Sequence, residues 1–158
     1  MRGFILAMAT LGCVGWLAAW AGDPPKKLTA EERKELEAKW DKFDDAGFNA
    51  YQAGKFPAAE KGWMAGLEVA RRLYPKTEFP DGHANLAQSL NNLAALYQHQ
   101  GKWSEAEPLF KDALDMRRRL FKGDHSSLAT SMNNLAALYE AQGKVADAEP
   151  LYNTTARV

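Results

Sequence analysis

The sequence contains one cysteine, no net charge and no motif that carries catalysis. A single cysteine, Cys13, excludes an intrachain disulfide and a metal site built from cysteines. Twenty basic residues balance twenty acidic residues, so no overall field draws the chain to nucleic acid. The sequence also lacks a glycine-rich phosphate loop after a strand, a Ser–His–Asp order and paired carboxylates with a pocket. We therefore expect no enzyme, no catalytic residue, no cofactor, no metal and no small-molecule substrate.

The N-terminal residues differ in composition from the rest of the chain. Residues 4–21 carry no charge, follow Arg2, and end in the small-residue pattern Ala19-Trp20-Ala21. These three features describe a secretory signal peptide. The apolar stretch is also nearly long enough to span a bilayer, so an uncleaved anchor is the alternative. We expect residues 1–21 to be a signal peptide or membrane anchor and residues 22–28 a linker. The folded part is then periplasmic or secreted, or anchored to the membrane by residues 4–21.

A segment of the sequence occurs twice, 42 residues apart. His83–Gly101 recurs as His125–Gly143, and the heptapeptide NNLAALY at 91–97 is unchanged at 133–139. A weaker copy precedes them, in which Gly54-Lys55-Phe56 matches Gly101-Lys102-Trp103. The folded domain, residues 29–158, therefore contains repeats at about 40–74, 83–121 and 125–158.

Each repeat reads as two helices joined at a glycine. Leu86, Leu90 and Leu93 have the three- and four-residue spacing of one helical face. Gly101 and Gly143 stand where a left-handed residue ends the first helix. The second helix is predicted to begin at Trp103-Ser104, where the motif from Ser104 to Glu107 has the form of a capping box. Pro108 must then lie in or just past the first turn of that helix, or kink it.

A second capping-box motif, Thr29 to Glu32, predicts the start of a long polar helix that runs to about Ala53. The aromatic residues are expected in the core. They are Trp40, Trp63, Tyr97, Trp103 and Tyr139.

Small residues at Ala94 and Ala106, an aromatic at Tyr97 and a glycine at Gly101 make the repeat resemble the tetratricopeptide repeat. Its 42-residue period makes the repeat similar, more narrowly, to the subclass of the family found in kinesin light chains. The resemblance implies an all-α, right-handed α-α superhelix of about two and a half to three helix pairs, preceded by the N-terminal signal or anchor helix. It also implies a concave groove, lined by the first helix of each pair, that holds a partner polypeptide.

The candidate peptide-binding residues lie on the two strong copies of the first helix. They are Gln88, Asn91, Asn92, Gln98, His99, Thr130, Asn133, Asn134 and Glu140. An asparagine amide both donates and accepts hydrogen bonds, so it can pair with the backbone of an extended peptide. The alternative is that the asparagines bond to neighbouring helices and only set the spacing of the repeats.

Two charged or titratable patterns have simpler explanations than a binding site. His83 and His125 recur 42 residues apart, but no acidic partner stands at metal-ligand spacing, so a role in the turn is expected. Arg117, the two arginines that follow it and Lys122 form a basic cluster near a helix end, where the helix dipole favours cations. Neither pattern predicts a metal or nucleic-acid site.

The function expected from the sequence is a protein–protein interaction scaffold outside the cytoplasm, with a protein partner. One alternative is a structural module that self-assembles as a homo-oligomer through a C-terminal face that lacks a polar capping helix. Another is a truncated remnant of a longer array of repeats.

Overall fold

The structure, a computed structural model, describes residues 27–122 and 125–155. The predicted signal or anchor helix of residues 1–21 lies outside this part of the chain, as do residues 22–26 of the predicted linker. Within the described ranges the chain forms six helices and no strand. The helices are α1 (Ala30–Gln52), α2 (Phe56–Leu73), α3 (Ala84–His99), α4 (Trp103–Leu120), α5 (Ser126–Ala141) and α6 (Val145–Thr155).

Successive helices pack as three pairs, α1 with α2, α3 with α4 and α5 with α6, and each pair packs on the next through its second helix. This arrangement agrees with the all-α helix-pair architecture expected from the sequence. No helix in the described part of the chain is both long and apolar enough to cross a membrane.

The turn inside each pair is built around a glycine. Gly54, Gly101 and Gly143 have φ values of 69°, 72° and 74°, a left-handed conformation that costs glycine nothing. The residue after each glycine donates its backbone N–H to a carbonyl near the end of the preceding helix; for Lys102 the acceptor is Tyr97 and the distance is 2.8 Å. The predicted left-handed helix ends at Gly101 and Gly143 are therefore confirmed.

The two predicted capping boxes have different outcomes. Thr29 caps α1 as predicted, because its Oγ1 accepts from the Glu32 N–H and its own N–H donates to the Glu32 carboxylate. At the second box the helix start at Trp103-Ser104 is confirmed, because α4 begins at Trp103, but the cap is wrong: Lys102 is the N-cap and no side chain caps the helix. Because the glycine turn ends at Lys102, the helix has already begun before Ser104. The side chain of Glu107 contacts Lys144 of the third pair instead of the N-terminus of its own helix.

The proline prediction is confirmed. Pro108 is the sixth residue of α4, just past its first turn, and the helix continues through it to Leu120. Pro150 has the equivalent place in α6.

The core consists of apolar layers between the helices. The layer between the first two pairs contains Trp63, Leu67 and Leu93, and that between the last two contains Phe110 and Leu135. Alanines in these layers, among them Ala94, Ala106 and Ala113, are fully buried. One aromatic expected in the core is not there: Trp103 is 41% exposed, because it is the first residue of α4 and lies beside the turn.

Candidate binding face of the first helices

The first helices of the three pairs lie side by side and are joined by polar side chains. Asn92 on α3 donates its Nδ2 to Oδ1 of Asp44 on α1 at 2.8 Å. Asn134 on α5 donates its Nδ2 to Oδ1 of Asn91 on α3 at 2.9 Å. The same arrangement therefore repeats at both junctions, with an amide of one pair bonded to an oxygen of the pair before it.

Residues at equivalent positions of the three helices share one surface, which we call the first-helix face. It comprises Asp41, Asp45 and Phe48 on α1, Gln88, Asn92 and Ala95 on α3, and Thr130, Asn134 and Ala137 on α5. All are exposed or partly exposed. The backbone of the helices is satisfied internally, so what this face offers a partner is the side chains.

Asn91 and Asn133 occupy equivalent positions but have different surroundings. Asn91 is buried, with 7% of its surface exposed, and its amide oxygen is occupied by Asn134. Asn133 is exposed. The hydrogen bond between Asn91 and Asn134 joins α3 to α5. Such a bond to a neighbouring helix is the alternative that the sequence left open beside peptide binding.

Gln88 belongs to a chain of hydrogen bonds that runs behind the face. Its Nε2 donates to Oδ1 of Asn92 at 2.8 Å, and its Oε1 accepts from Nη2 of Arg117 at 3.0 Å. Nη1 of Arg117 donates to Oγ of Ser131 at 2.6 Å and to the carbonyl of Ser127 at 3.1 Å. Arg117 thus ties α4 to both α3 and α5.

Arg117, Arg118 and Arg119 all lie in the last turn of α4, as expected, but Arg117 is buried rather than part of an exposed cluster. Only 5% of Arg117 is exposed, and burial lowers the pKa of its guanidinium. Its three described acceptors are all neutral oxygens. The signal was in the sequence: Phe110, Ala113, Leu114 and Arg117 follow one another at helical spacing, so Arg117 lies on the buried side of α4.

Four other predicted residues do not join this network. Gln98 is partly buried near the end of α3, and the exposed His99 has its ring 4.7 Å from that of Phe56. Thr130 is exposed and donates its hydroxyl to the Ser126 carbonyl at 2.9 Å. Glu140 is exposed and accepts from the Tyr152 hydroxyl at 3.0 Å.

The sequence analysis missed the acidic residues at the α1 end of the face. Asp41 and Asp45 are exposed, and Asp44 is partly buried between them and Asn92. Burial raises the pKa of Asp44, the Asn92 hydrogen bond opposes that effect, and the neighbouring charges of Asp45 and Asp41 raise the pKa further. Phe48, one turn beyond Asp44, is 53% exposed. Aligning Gly54 with Gly101 would have placed Asp44 opposite Asn91 and revealed this group.

The two recurring histidines have the turn role expected of them. His83 and His125 are the N-caps of α3 and α5. Across residues 27–122 and 125–155, no group of three or more His, Cys, Asp or Glu side chains is arranged to hold a metal ion.

Residues 85–158, which begin at the second residue of α3 and include the rest of the second and third helix pairs, match the family model described as tetratricopeptide repeat. The described part of the chain has the tetratricopeptide-repeat fold. Such helix-pair solenoids are typically interaction modules rather than enzymes. No curated protein sequence matches the chain significantly.

Three solved structures show the likeness. BtubC (BKLC) from P. vanneervenii is 25% identical with a TM-score of 0.66, over 80% of this chain and 51% of that one. The tetratricopeptide domain of Arabidopsis FLU is 20% identical with a TM-score of 0.65, over 77% and 95%. The N-terminal domain of stress-induced protein-1 from C. elegans is 19% identical with a TM-score of 0.56, over 81% and 86%. This chain therefore spans about half the length of BtubC.

Proposed function

We propose that the first-helix face binds an extended segment of a partner polypeptide, so that the protein acts as an interaction scaffold. The observation that carries this proposal is the repeated bond between first helices, Asn92 to Asp44 and Asn134 to Asn91, which aligns three helices beside one another. Asn92 and Asn134 stay partly exposed, and each amide nitrogen has a second N–H. A row of such groups suits the backbone of an extended chain.

Charge and apolar surface favour a particular kind of segment. The α1 end of the face carries Asp41 and Asp45, with the partly buried Asp44 between them in the sequence, and no ion pair joins these carboxylates to a lysine or arginine in the described part of the chain. Phe48 lies beside them, exposed. The three residues that α5 contributes to the face, Thr130, Asn134 and Ala137, are uncharged. The face therefore suits a segment that places a lysine or arginine over α1, next to an apolar side chain for Phe48.

Binding of labelled peptides tests this proposal. Extended peptides with one lysine or arginine beside a leucine are titrated in a fluorescence anisotropy assay, against peptides in which glutamate replaces the basic residue. The variant Asp41→Asn with Asp45→Asn is expected to bind the basic peptides about tenfold more weakly, or about 1.4 kcal/mol.

The matched control removes the same charge from second helices, as Asp112→Asn with Glu149→Gln. It is expected to change the dissociation constant less than about twofold, because these exposed residues lie away from the face. An equal loss in both variants would show that only the net charge matters. Equal affinity for basic and acidic peptides would reject the proposed partner.

A second function, self-assembly, is favoured by the surface of the third pair. Tyr152 is 37% exposed, whereas its equivalent Phe110 is 1% exposed because the third pair covers it. Another helix pair that packs on α5 and α6 would cover Tyr152 and Asn133 in the same way. Light scattering tests this: a dimer that dissociates on Tyr152→Glu would support it, and a monomer at high concentration would reject it.

The proposed location outside the cytoplasm depends on residues 1–21 alone. N-terminal sequencing of the protein from fractionated cells tests it, with Gly22 as the first residue after cleavage at Ala21.

The assignment to the kinesin-light-chain-like subclass is likewise part of the proposal. It is supported by the 42-residue period and by the likeness to BtubC (BKLC).

A further inference from the structure

Two histidines occupy the same place at the two joints between helix pairs. Nδ1 of His83 accepts the Asn85 backbone N–H at 3.2 Å, at the start of α3. Nδ1 of His125 accepts the Ser127 N–H, also at 3.2 Å, at the start of α5. Both residues have extended backbone angles, as N-caps do. Each histidine thus supplies the side-chain acceptor for a first helix.

Each imidazole is also stacked on an aromatic ring from the end of the preceding pair. The His83 ring lies 3.6 Å from the Tyr74 ring with an angle of 6° between the planes. The His125 ring lies 3.9 Å from the Phe121 ring with an angle of 12°. The second helix of one pair is therefore connected to the first helix of the next through a single imidazole, which both stacks and caps.

The cap requires the neutral form of the imidazole. A protonated ring carries hydrogen on both nitrogens, so Nδ1 becomes a donor and faces the N–H that it formerly accepted. Protonation also places a positive charge at the N-terminus of a helix, where the dipole is already positive. A histidine in this position therefore weakens its own cap when it takes up a proton.

We propose that His83 and His125 make the joints between helix pairs acid-sensitive: uptake of protons uncaps α3 and α5 and loosens each pair from the one before it. This inference does not depend on what the first-helix face binds. It rests on two joints whose loops differ in sequence. At each joint a histidine caps the first helix and stacks on an aromatic ring.

The groups around His83 favour its neutral form. Burial lowers the pKa of His83; the charge of Glu37, from α1, acts in the opposite direction, and Arg33, also from α1, lowers the pKa further. Arg33 is itself paired at 3.2 Å with Glu78, which lies in the loop between α2 and α3. From α2 and the loop, His83 meets the rings of Tyr74 and Phe79.

On the α4 side of the loop, Arg119 donates to the backbone carbonyl of Asp81. Lys122, which follows the end of α4, is close to His125 in the sequence, and Arg117 of α4 donates to the Ser127 carbonyl. No described carboxylate is bonded to either imidazole to hold its proton.

The sign of the effect follows from the lowered pKa of His83. An unfolded histidine takes up its proton near pH 6.5, and the native His83 does so only at lower pH. The unfolded chain therefore binds more protons in this window, and stability falls as the pH drops below about 6.5. Above that pH both states are neutral and the contribution is constant.

Nuclear magnetic resonance at pH 8 to 5 tests the inference directly on the whole chain. The amide protons of Asn85 and Ser127 are expected to shift together with the imidazole resonances, and to exchange with solvent faster at acid pH. The midpoint of thermal unfolding is expected to fall by about 3 to 5 °C over the same range. Cap amides that do not move while the histidines titrate would overturn the inference, with no variant needed.

A non-titrating cap gives the matched variant. Asparagine caps helices about as well as any residue, so His83→Asn with His125→Asn should fold and lose the acid-dependent fall in the midpoint. His99→Asn is the control, because His99 is exposed at the end of α3 and caps no helix; it should keep the fall. The same pH dependence in the wild type and the double variant would overturn the inference.

Discussion

The second and third helix pairs have nearly the same sequence and different surroundings. Ser89 and Ser131 are equivalent and both buried, but Ser89 accepts from Trp40 whereas Ser131 accepts from Arg117. Asn91 is buried and Asn133 is exposed. In this fold each pair is completed by its neighbours, so one side chain has a different role at each position along the stack.

This comparison predicts that substituting equivalent residues of the two pairs will have unequal effects on the free energy of unfolding. Each prediction below concerns a residue of the second pair and its equivalent 42 residues on, measured by urea unfolding. Similar costs at both positions would contradict the difference in environment.

The largest difference is expected at Phe110 and Tyr152. Phe110→Ala should lower the free energy of unfolding by about 3 to 5 kcal/mol, because a fully buried ring is removed from the layer between the second and third pairs. Tyr152→Ala should cost less than about 1 kcal/mol, because its ring is partly in solvent. A large cost at Tyr152 would show that another chain covers it, which light scattering would then reveal.

The two buried serines should also differ, in the reverse order. Ser131→Ala is expected to cost about 2 kcal/mol, because it removes a hydrogen-bond acceptor from the buried charge of Arg117. Ser89→Ala should cost about 1 kcal/mol. It removes the acceptor of the Trp40 indole N–H, and this donor is neutral and only partly buried. Equal costs would mean that Arg117 is satisfied by Gln88 and the Ser127 carbonyl alone.

A smaller difference is expected at the asparagines. Asn91→Ala should cost about 1 kcal/mol, since Asn134 loses its acceptor, and Asn133→Ala should stay within about 0.5 kcal/mol. Asn92 and Asn134 make the bonds between first helices, so substituting them alters stability and binding together. The exposed Asp41 and Asp45 are better positions for separating the two.

The smallest effect is expected at Glu107, which bonds Lys111 at 2.7 Å and Lys144 at 3.2 Å. Glu107→Gln should cost about 0.5 kcal/mol at neutral pH, as surface ion pairs do. Glu149→Gln, the exposed equivalent, should have no measurable effect.

The Glu107 contribution also has a defined pH dependence. The hydrogen bond from Lys111, opposed by burial and helped by Lys144, lowers the pKa of Glu107. The folded state thus holds the carboxylate charged to lower pH than the unfolded chain does. The stabilisation is present above the unfolded value near 4.5 and is lost as the pH falls through the lowered one. A difference between the wild type and Glu107→Gln that persists at pH 3 would contradict this assignment.

Local signals in the sequence predicted much of the fold and less of the site. The capping box at Thr29 and the turn glycines Gly101 and Gly143 act on residues within a few positions, and all three were correct. The box at Ser104 failed because the glycine turn before it decides where α4 begins. A local motif is thus reliable only where no stronger local constraint precedes it.

The contacts of the site could not be read in the same way. The sequence analysis placed Arg117 in a basic cluster, although its helical spacing with Phe110 and Leu114 marks the buried side of α4. Its acceptors come from α3 and α5. Asp44 lies in the weak first copy, and its partner Asn92 is 48 residues away. Partners so distant in sequence are set by how the pairs stack, not by any pattern within one helix.

The sequence alone determined the repeat, the paired helices and the glycine turns, because periodic apolar residues and left-handed glycines act through short-range geometry. Tertiary structure decided which of two identical side chains is buried, which donor each serine receives, and that Asp44 of the first copy accepts from Asn92 of the second. Burial and hydrogen bonding between pairs depend on the neighbour that is present, and that neighbour is encoded in another part of the chain.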